Sequence, residues 1–242
     1  MCSDSLKQIY RRLSDAAGRL SFGAPTTHVY NPLDYAWNAV EQYLNLAGNG
    51  CKEVLFLGMN PGPWGMAQTG VPFGTISFVR DWMGIEASVG KPGHEHPKRP
   101  ILGFDVQREE VSGSRFWGWA EHRYGTASRF FDHYFVANYC PLVFMEESGR
   151  NRTPDKLTLR ERTTLFAVCD AALREVVEVL EPRQVIAIGK FAEDRARQAL
   201  SGIDIPINRI LHPSPASPVA NRGWMEQAEK QLKKLIAPPV LP

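Results

Sequence analysis

Four short apolar runs constrain the fold more than any other feature: Glu53–Gly58 (EVLFLG), Tyr134–Ala137 (YFVA), Val185–Ile188 (VIAI) and Asn208–Leu211 (NRIL). They are too short for helices and too apolar for exposed elements, which is the pattern of strands buried on both faces. Helical patterns separate the last three. One covers about residues 158–180, with Thr158 and Glu161 in capping-box register and Leu165, Val168, Ala172, Val176 and Val179 along one stripe, and Pro182 ends it. Others cover about 191–200 and 222–236, before a Pro-rich tail over about 237–242 that is expected to fray. Upstream, residues 4–20 carry Leu6, Ile9, Tyr10, Leu13 and Leu20 at helical spacing. A second helix is expected from the Asn31 N-cap and Pro32 through Tyr35, Val40, Tyr43 and Leu44 to Gly48. Strands alternating with helices predict an α/β fold with a parallel sheet covered on both faces. No repeat or low-complexity linker divides the chain, so residues 1–242 read as one domain.

The composition, 43% hydrophobic and 22% charged over 242 residues, excludes disordered and fibrous classes. The longest apolar runs span only a few residues, and Met1–Arg12 lacks a signal-peptide pattern, so a cytoplasmic protein with no membrane partner is expected. A net charge of +2 neither demands nor excludes nucleic acid, because binding needs only a local positive excess. Cys2, Cys51, Cys140 and Cys169 form no C-x-x-C pair, and the last three lie in or beside apolar segments. They read as buried reduced thiols rather than zinc or iron–sulfur ligands. His94-Glu95-His96 has metal-binding chemistry but sits in a Pro/Gly/Lys-rich stretch without an obvious third ligand, and reads as a solvated loop. The basic run Arg150, Arg152, Lys156, Arg160 and Arg162 is interspersed with acids and reads as a solvated helix-entry face.

Parallel α/β sheets bind ligands outside the carboxyl ends of their strands. Those ends are Gly58-Met59-Asn60-Pro61-Gly62, Asn138-Tyr139-Cys140-Pro141, Gly189-Lys190 and His212-Pro213-Ser214-Pro215. Asn60, Asn138 and His212 therefore fall where a site is expected. The loop Gly58–Gly74, GMNPGPWGMAQTGVPFG, holds five glycines and three prolines without a lysine or arginine. It lacks both the P-loop lysine and the G-x-G-x-x-G fingerprint, which argues against a nucleotide-dependent phosphotransferase. Prolines fix its backbone and glycines permit close approach, so it reads as a rigid pocket wall. There is no G-x-S-x-G elbow.

Read together, these residues resemble the uracil-DNA glycosylase superfamily, specifically its single-strand-selective monofunctional branch. The resemblance rests on the whole Gly58–Gly74 loop, on Asn138 in NYCPL, and on His212–Trp224 (HPSP, a proline-containing loop, then Asn-x-Gly-Trp). It implies a three-layer fold around a four-stranded parallel sheet, no metal or organic cofactor, and hydrolysis of the N-glycosidic bond of uracil and some 5-substituted uracils in DNA. Asn60 and His212 are the expected catalytic residues: Asn60 positions a water, and His212 stabilises negative charge on the departing base. Gly58, Met59, Gly62, Met66, Phe73 and Asn138 are the expected base-binding residues. Phe73 would stack on the base, Asn138 would read N3–H and O4, and Gly62 and Met66 would shape the region around C5. Gly189, Lys190, Ser214, Pro215, Ala216 and Ser217 are the expected DNA contacts. Branch members carry an arginine after HPSP that wedges into the duplex; Ala216 stands at that position here. The implied partner is DNA, single- and double-stranded, bound by a monomer that is nucleoid-associated in a bacterium or nuclear in a eukaryote. Two alternatives stay open: a non-catalytic nucleotide or damaged-DNA binding module, and a glycosylase acting mainly on xanthine or hypoxanthine.

Overall fold

The computed structural model describes residues 2–236; the expected fraying tail lies outside the described residues. In chain order the elements are α1 (Cys2–Gly18), β1 (His28–Tyr30), α2 (Pro32–Tyr35), α3 (Trp37–Ala47), β2 (Val54–Gly58), α4 (Met66–Thr69), α5 (Val111–Tyr124), α6 (Ala127–His133), β3 (Tyr134–Asn138), β4 (Val143–Met145), β5 (Asn151–Arg152), α7 (Leu159–Leu180), β6 (Gln184–Ile188), α8 (Lys190–Ala199), β7 (Ile207–Ile210) and α9 (Trp224–Leu232). The four apolar runs form one parallel sheet in the order β3-β2-β6-β7. The chain steps from β2 to β3 on one side and then crosses to β6 on the other. The carboxyl end of β2 is therefore the topological switch point.

Every residue of β2 is buried, and its two faces meet different helices. Phe56 packs edge-on to Phe116 and Trp119 of α5 and stacks at 6.2 Å on Phe130 of α6. Leu57 lies on the opposite face, with Tyr10 and Leu13 of α1 and Cys169, Leu173 and Val176 of α7. A strand covered on both sides cannot alternate polar and apolar residues, which explains the unbroken VLFL run.

Several sequence expectations are corrected. The segment from Pro32 to Gly48 is two helices, because Ala36 (φ −105°, ψ 21°) leaves helical geometry between them. Asn31 occupies the N-cap position, but its amide donates to the Ser14 backbone oxygen and Oγ instead of capping. Cys140 and Cys169 are buried, whereas Cys51 is exposed. His94-Glu95-His96 is a loop with only His94 exposed: His96 is 1% exposed, accepts the Lys98 N–H at Nδ1 (3.0 Å) and faces the Glu147 carbonyl, while Glu95 accepts the Ile101 N–H. Two features had no sequence counterpart. One is the α5–α6 pair; the other is an antiparallel ribbon in the order β1-β4-β5.

The Thr158 capping box is present. Thr158 Oγ1 accepts the Glu161 N–H, and the Glu161 carboxylate accepts the Thr158 N–H at 2.8 Å. The same carboxylate accepts the Gly23 N–H at 2.6 Å, tying the segment after α1 to the start of α7. Thr158→Ala is expected to lower stability by about 1 kcal/mol. In a thermal melt that is a drop of about 2–4 °C.

Candidate active site

A cavity of about 300 Å³ opens at the carboxyl ends of the sheet strands, lined by Met59, Asn60, Gly62, Phe73, Glu110, Ser112, Asn138, Asn151, Thr153, His212 and Ser214, among others. The register of β2 and β3 pairs Gly58 with Asn138, and the next backbone bonds, Tyr139 N–H to the Gly58 carbonyl and Cys140 N–H to the Met59 carbonyl, continue the pairing into the loops. That ladder brings Asn138 and Asn60 to the same cavity. A Cβ on Gly58 would fall 2.4 Å from Asn138 Oδ1 and 2.7 Å from the Phe73 ring, so only glycine lets both groups close over the strand end.

Phe73 has a left-handed backbone (φ 55°). Such a conformation costs of order 1–3 kcal/mol in a non-glycine residue and persists only where the surroundings enforce it. Here the ring stacks on Phe116 of α5 at 5.2 Å and lies 6.4 Å from the His212 ring between centroids, tilted by 47°.

Each polar group has a defined orientation. The Asn60 amide nitrogen donates to the Pro61 and Leu142 carbonyls (3.3 and 3.2 Å), which leaves Oδ1 as its free acceptor. Asn138 Nδ2 lies 3.2 Å from Met66 Sδ, a weak acceptor that a better one readily replaces. The Ser214 N–H donates to His212 Nδ1 at 3.0 Å, so the neutral ring carries its proton on Nε2. Burial pushes the His212 imidazole down to about 4. Near neutral pH it is therefore an uncharged donor.

Of the six expected DNA contacts, Ser214 lines the cavity and Gly189, at the start of α8, packs against the cavity-lining His212. Lys190 is exposed, with its ammonium paired to Asp194 and 3.7 Å from Glu193. Pro215 and Ala216 are exposed, and Ser217 is half-buried. The loop is pinned by Ser217 N–H to the Ser214 carbonyl, by Asn221 to the Pro215 carbonyl, and by Arg115 of α5 to the Pro213 carbonyl and Asn221. The basic run is not wholly a solvated face: Arg152, between Asn151 and Thr153, is largely buried and bonds Glu146, while the exposed Lys156 bonds Asp155.

Glu110, Ser112, Asn151 and Thr153 line the cavity without having been singled out from sequence. They come from the segments sequence reasoning left unassigned, the start of α5 and the antiparallel ribbon. Among the described residues no group of three or more His, Cys, Asp or Glu could hold a metal ion, and no helix is long and apolar enough to cross a membrane.

The model of the Uracil DNA glycosylase superfamily matches residues 47–236. The chain belongs to the uracil-DNA glycosylase superfamily. It is 50% identical over 232 residues, 95% of this chain and 84% of the relative, to the single-strand selective monofunctional uracil-DNA glycosylase of Rattus norvegicus. Identity to the proteins of that name from Mus musculus and Bos taurus is 48%, again over 95% of the chain. The crystal structure of Pedobacter heparinus SMUG2 is similar in fold, with a TM-score of 0.69 at 16% identity over 94% of this chain and 96% of that one.

The site generates a prediction about acid stability. His212 has a folded value below its unfolded one, so its contribution is complete above about pH 6.5 and is lost as pH falls toward 4. The loss reaches about 3 kcal/mol. Urea unfolding at pH 7, 5.5 and 4.5 is expected to show His212→Gln losing less stability over this window than the wild type.

Proposed function

We propose that the protein hydrolyses the N-glycosidic bond of uracil in DNA, releasing the base and leaving an abasic site for excision repair. The observation that carries this reading is the convergence of Asn60, Asn138 and His212 on one cavity whose wall is the Phe73 ring. An amide cannot take a proton, so Asn60 Oδ1 holds the water rather than deprotonating it. That suits a reaction in which the N1–C1′ bond breaks first: its electron pair passes to the base, the sugar becomes cation-like, and weakly activated water adds to C1′ and sheds its proton to solvent. The Nε2–H of His212 then donates to O2 of the uracil anion, an interaction worth about 2.7–4 kcal/mol in comparable sites.

Specificity follows from Asn138. Its amide offers an acceptor to N3–H and a donor to O4, while cytosine presents the reverse pair and would leave buried groups unmatched. Phe73 supplies the stacking platform, worth about 1–3 kcal/mol per base. Gly62 and Met66 border the C5 side, and 5-substituted uracils such as 5-hydroxymethyluracil belong to the proposed range.

On the rim, Ser214 and the backbone N–H groups at Gly62 and Gly189–Lys190 are the proposed phosphate contacts. Pro215, Ala216 and Ser217 border the strand. The protein acts as a monomer on both single- and double-stranded DNA. Extracting a base from a duplex requires a few kcal/mol of unstacking, which a wedge residue offsets and the short Ala216 side chain does not.

Alkaline cleavage of a labelled single-stranded oligonucleotide containing one uracil tests the reaction. Wild type is expected to yield product only after alkali and only at uracil. His212→Ala is expected to be about 10²–10³-fold slower, and Asn60→Ala strongly impaired. Intact DNA at enzyme excess would refute the reading. With the same assay on matched duplex and single strands, Ala216→Arg is expected to raise the double- to single-strand activity ratio several-fold. An unchanged ratio removes the wedge explanation.

A further inference from the structure

Beside the cavity lies a cationic aromatic cluster that the proposed reaction does not use. Trp64 is half-buried, with the Arg99 guanidinium 5.3 Å and the Arg108 guanidinium 5.0 Å from its ring. Each segment that builds the cluster also lines the cavity two residues away. Gly62 precedes Trp64, Glu110 follows Arg108, and Asn151 follows Gly149, whose carbonyl accepts the Arg99 Nε–H at 3.0 Å. The cluster therefore borders the wall made by Gly62, Glu110 and Asn151, which comes from other parts of the chain than His212 and Ser214.

Two of its three members are fixed by the fold. Gln68, fully buried, donates its amide nitrogen to the Pro63 and Pro100 carbonyls, both at 3.0 Å, and so ties the residue before Trp64 to the residue after Arg99. Arg99 is committed to the Gly149 and Lys98 carbonyls. Arg108 differs: it is exposed and, among the described residues, makes no ion pair and no hydrogen bond. The two acids that follow it turn elsewhere, Glu109 to Ser77 and Ser114, and Glu110 into the space beside Gly62 and Gly65. A guanidinium held by ring contact rather than by a counter-ion keeps its planar set of donors available. Ring contact alone marks no site, since Arg11 lies 3.5 Å over Trp37 and α1 lines no part of the cavity. Position beside the cavity and the lack of a partner set Arg108 apart.

Resting on the glycosylase reading, we infer that Arg108, held over Trp64, binds a backbone phosphate of the uracil strand outside the pocket. A phosphodiester presents one full negative charge on two unesterified oxygens, the pattern that the guanidinium fork matches. The cations at the strand ends are occupied: Lys190 pairs with Asp194 and Glu193, and Arg115 fastens the Pro213–Asn221 loop. Arg108 supplies the formal charge that they withhold. The contact is blind to sequence, and its signature is counterion release on binding. Trp64 is the positioning residue, since its ring is what holds the guanidinium.

Fluorescence anisotropy at graded salt tests this on a labelled single strand whose one deoxyuridine carries a 2′-fluorine, which disfavours the sugar cation and blocks cleavage. Arg108→Gln is expected to weaken binding several-fold at low salt. It is also expected to reduce the slope of log affinity against log salt by about 0.7, so that the gap to wild type closes about 5-fold per tenfold rise in salt. Neutral methylphosphonates, placed one at a time, are expected to reveal one position that weakens wild type and leaves Arg108→Gln unchanged. Trp64→Leu is expected to lose affinity as Arg108→Gln does, and Trp64→Phe, which keeps a ring, to retain it. Arg11→Gln removes the same charge from α1 and is expected to keep the wild-type slope. Equal slopes in wild type and Arg108→Gln, the same loss in Arg11→Gln, or the absence of a methylphosphonate position silent in Arg108→Gln overturns the inference. A wild type that shows the binding effects yet releases no uracil from the unmodified strand defeats instead the reading on which it rests.

Discussion

The absence of a side chain at Gly58 is the constraint on which the site depends. β2 and β3 run parallel with Gly58 opposite Asn138, and the Phe73 ring comes down on the same strand end. A single methyl there would sit within 3 Å of both groups. The Asn138 amide and the Phe73 ring can share one floor only because backbone alone separates them. The strained backbone of Phe73 belongs to the same arrangement: α5 packs its Gly113 against the Phe73 carbonyl, where a Cβ would lie 2.0 Å away, and Phe116 of the same helix backs the ring. Switch point, glycine and aromatic helix together form the pocket before any polar group is counted.

The polar groups then act through orientation rather than charge. Asn60 is turned by two backbone carbonyls, and His212 has its tautomer set by a backbone N–H. Backbone partners at strand ends are rigid, so each side chain offers one group to the cavity without reorganising during reaction, and this is the condition under which hydrogen bonds stabilise developing charge most effectively. A neutral imidazole also avoids the cost of burying an ion in the cavity.

How much of this was legible in the sequence follows the length of each signal. β2, β3 and β6 are apolar blocks with turn chemistry at their ends, whereas β7 (INRI) is an edge strand with Arg209 exposed; strand ends and candidate residues could still be read together, and the structure brings Asn60, Asn138, Phe73 and His212 to one cavity. Strands of two or three residues, such as β1, β4 and β5, cannot express a period, and the ribbon went unseen with its Asn151 and the Thr153 that follows it. Helix α5 was hidden for a different reason. Gly113 and Gly118 lower its intrinsic helicity, no side chain caps its start, and its aromatic residues pack around much of its circumference rather than along one stripe. Glu110 went unnoticed with it, since a lone acid before an unassigned segment carries no pattern.

The rim shows a different economy from the floor. Lys190, a cation at a strand end, is held by Asp194 and Glu193 on its own helix, so it does not offer a free charge to phosphate. Arg115 is likewise committed to fastening the Pro213–Asn221 loop. Under the proposed function, phosphate contacts at the strand ends then fall to backbone N–H groups and hydroxyls. Donors without formal charge release few counterions, so binding through them depends weakly on salt and gains little from long-range steering. Under the proposed function, selectivity then rests on the pocket, through the match of an extruded base to Asn138 and Phe73, rather than on the grip on the strand.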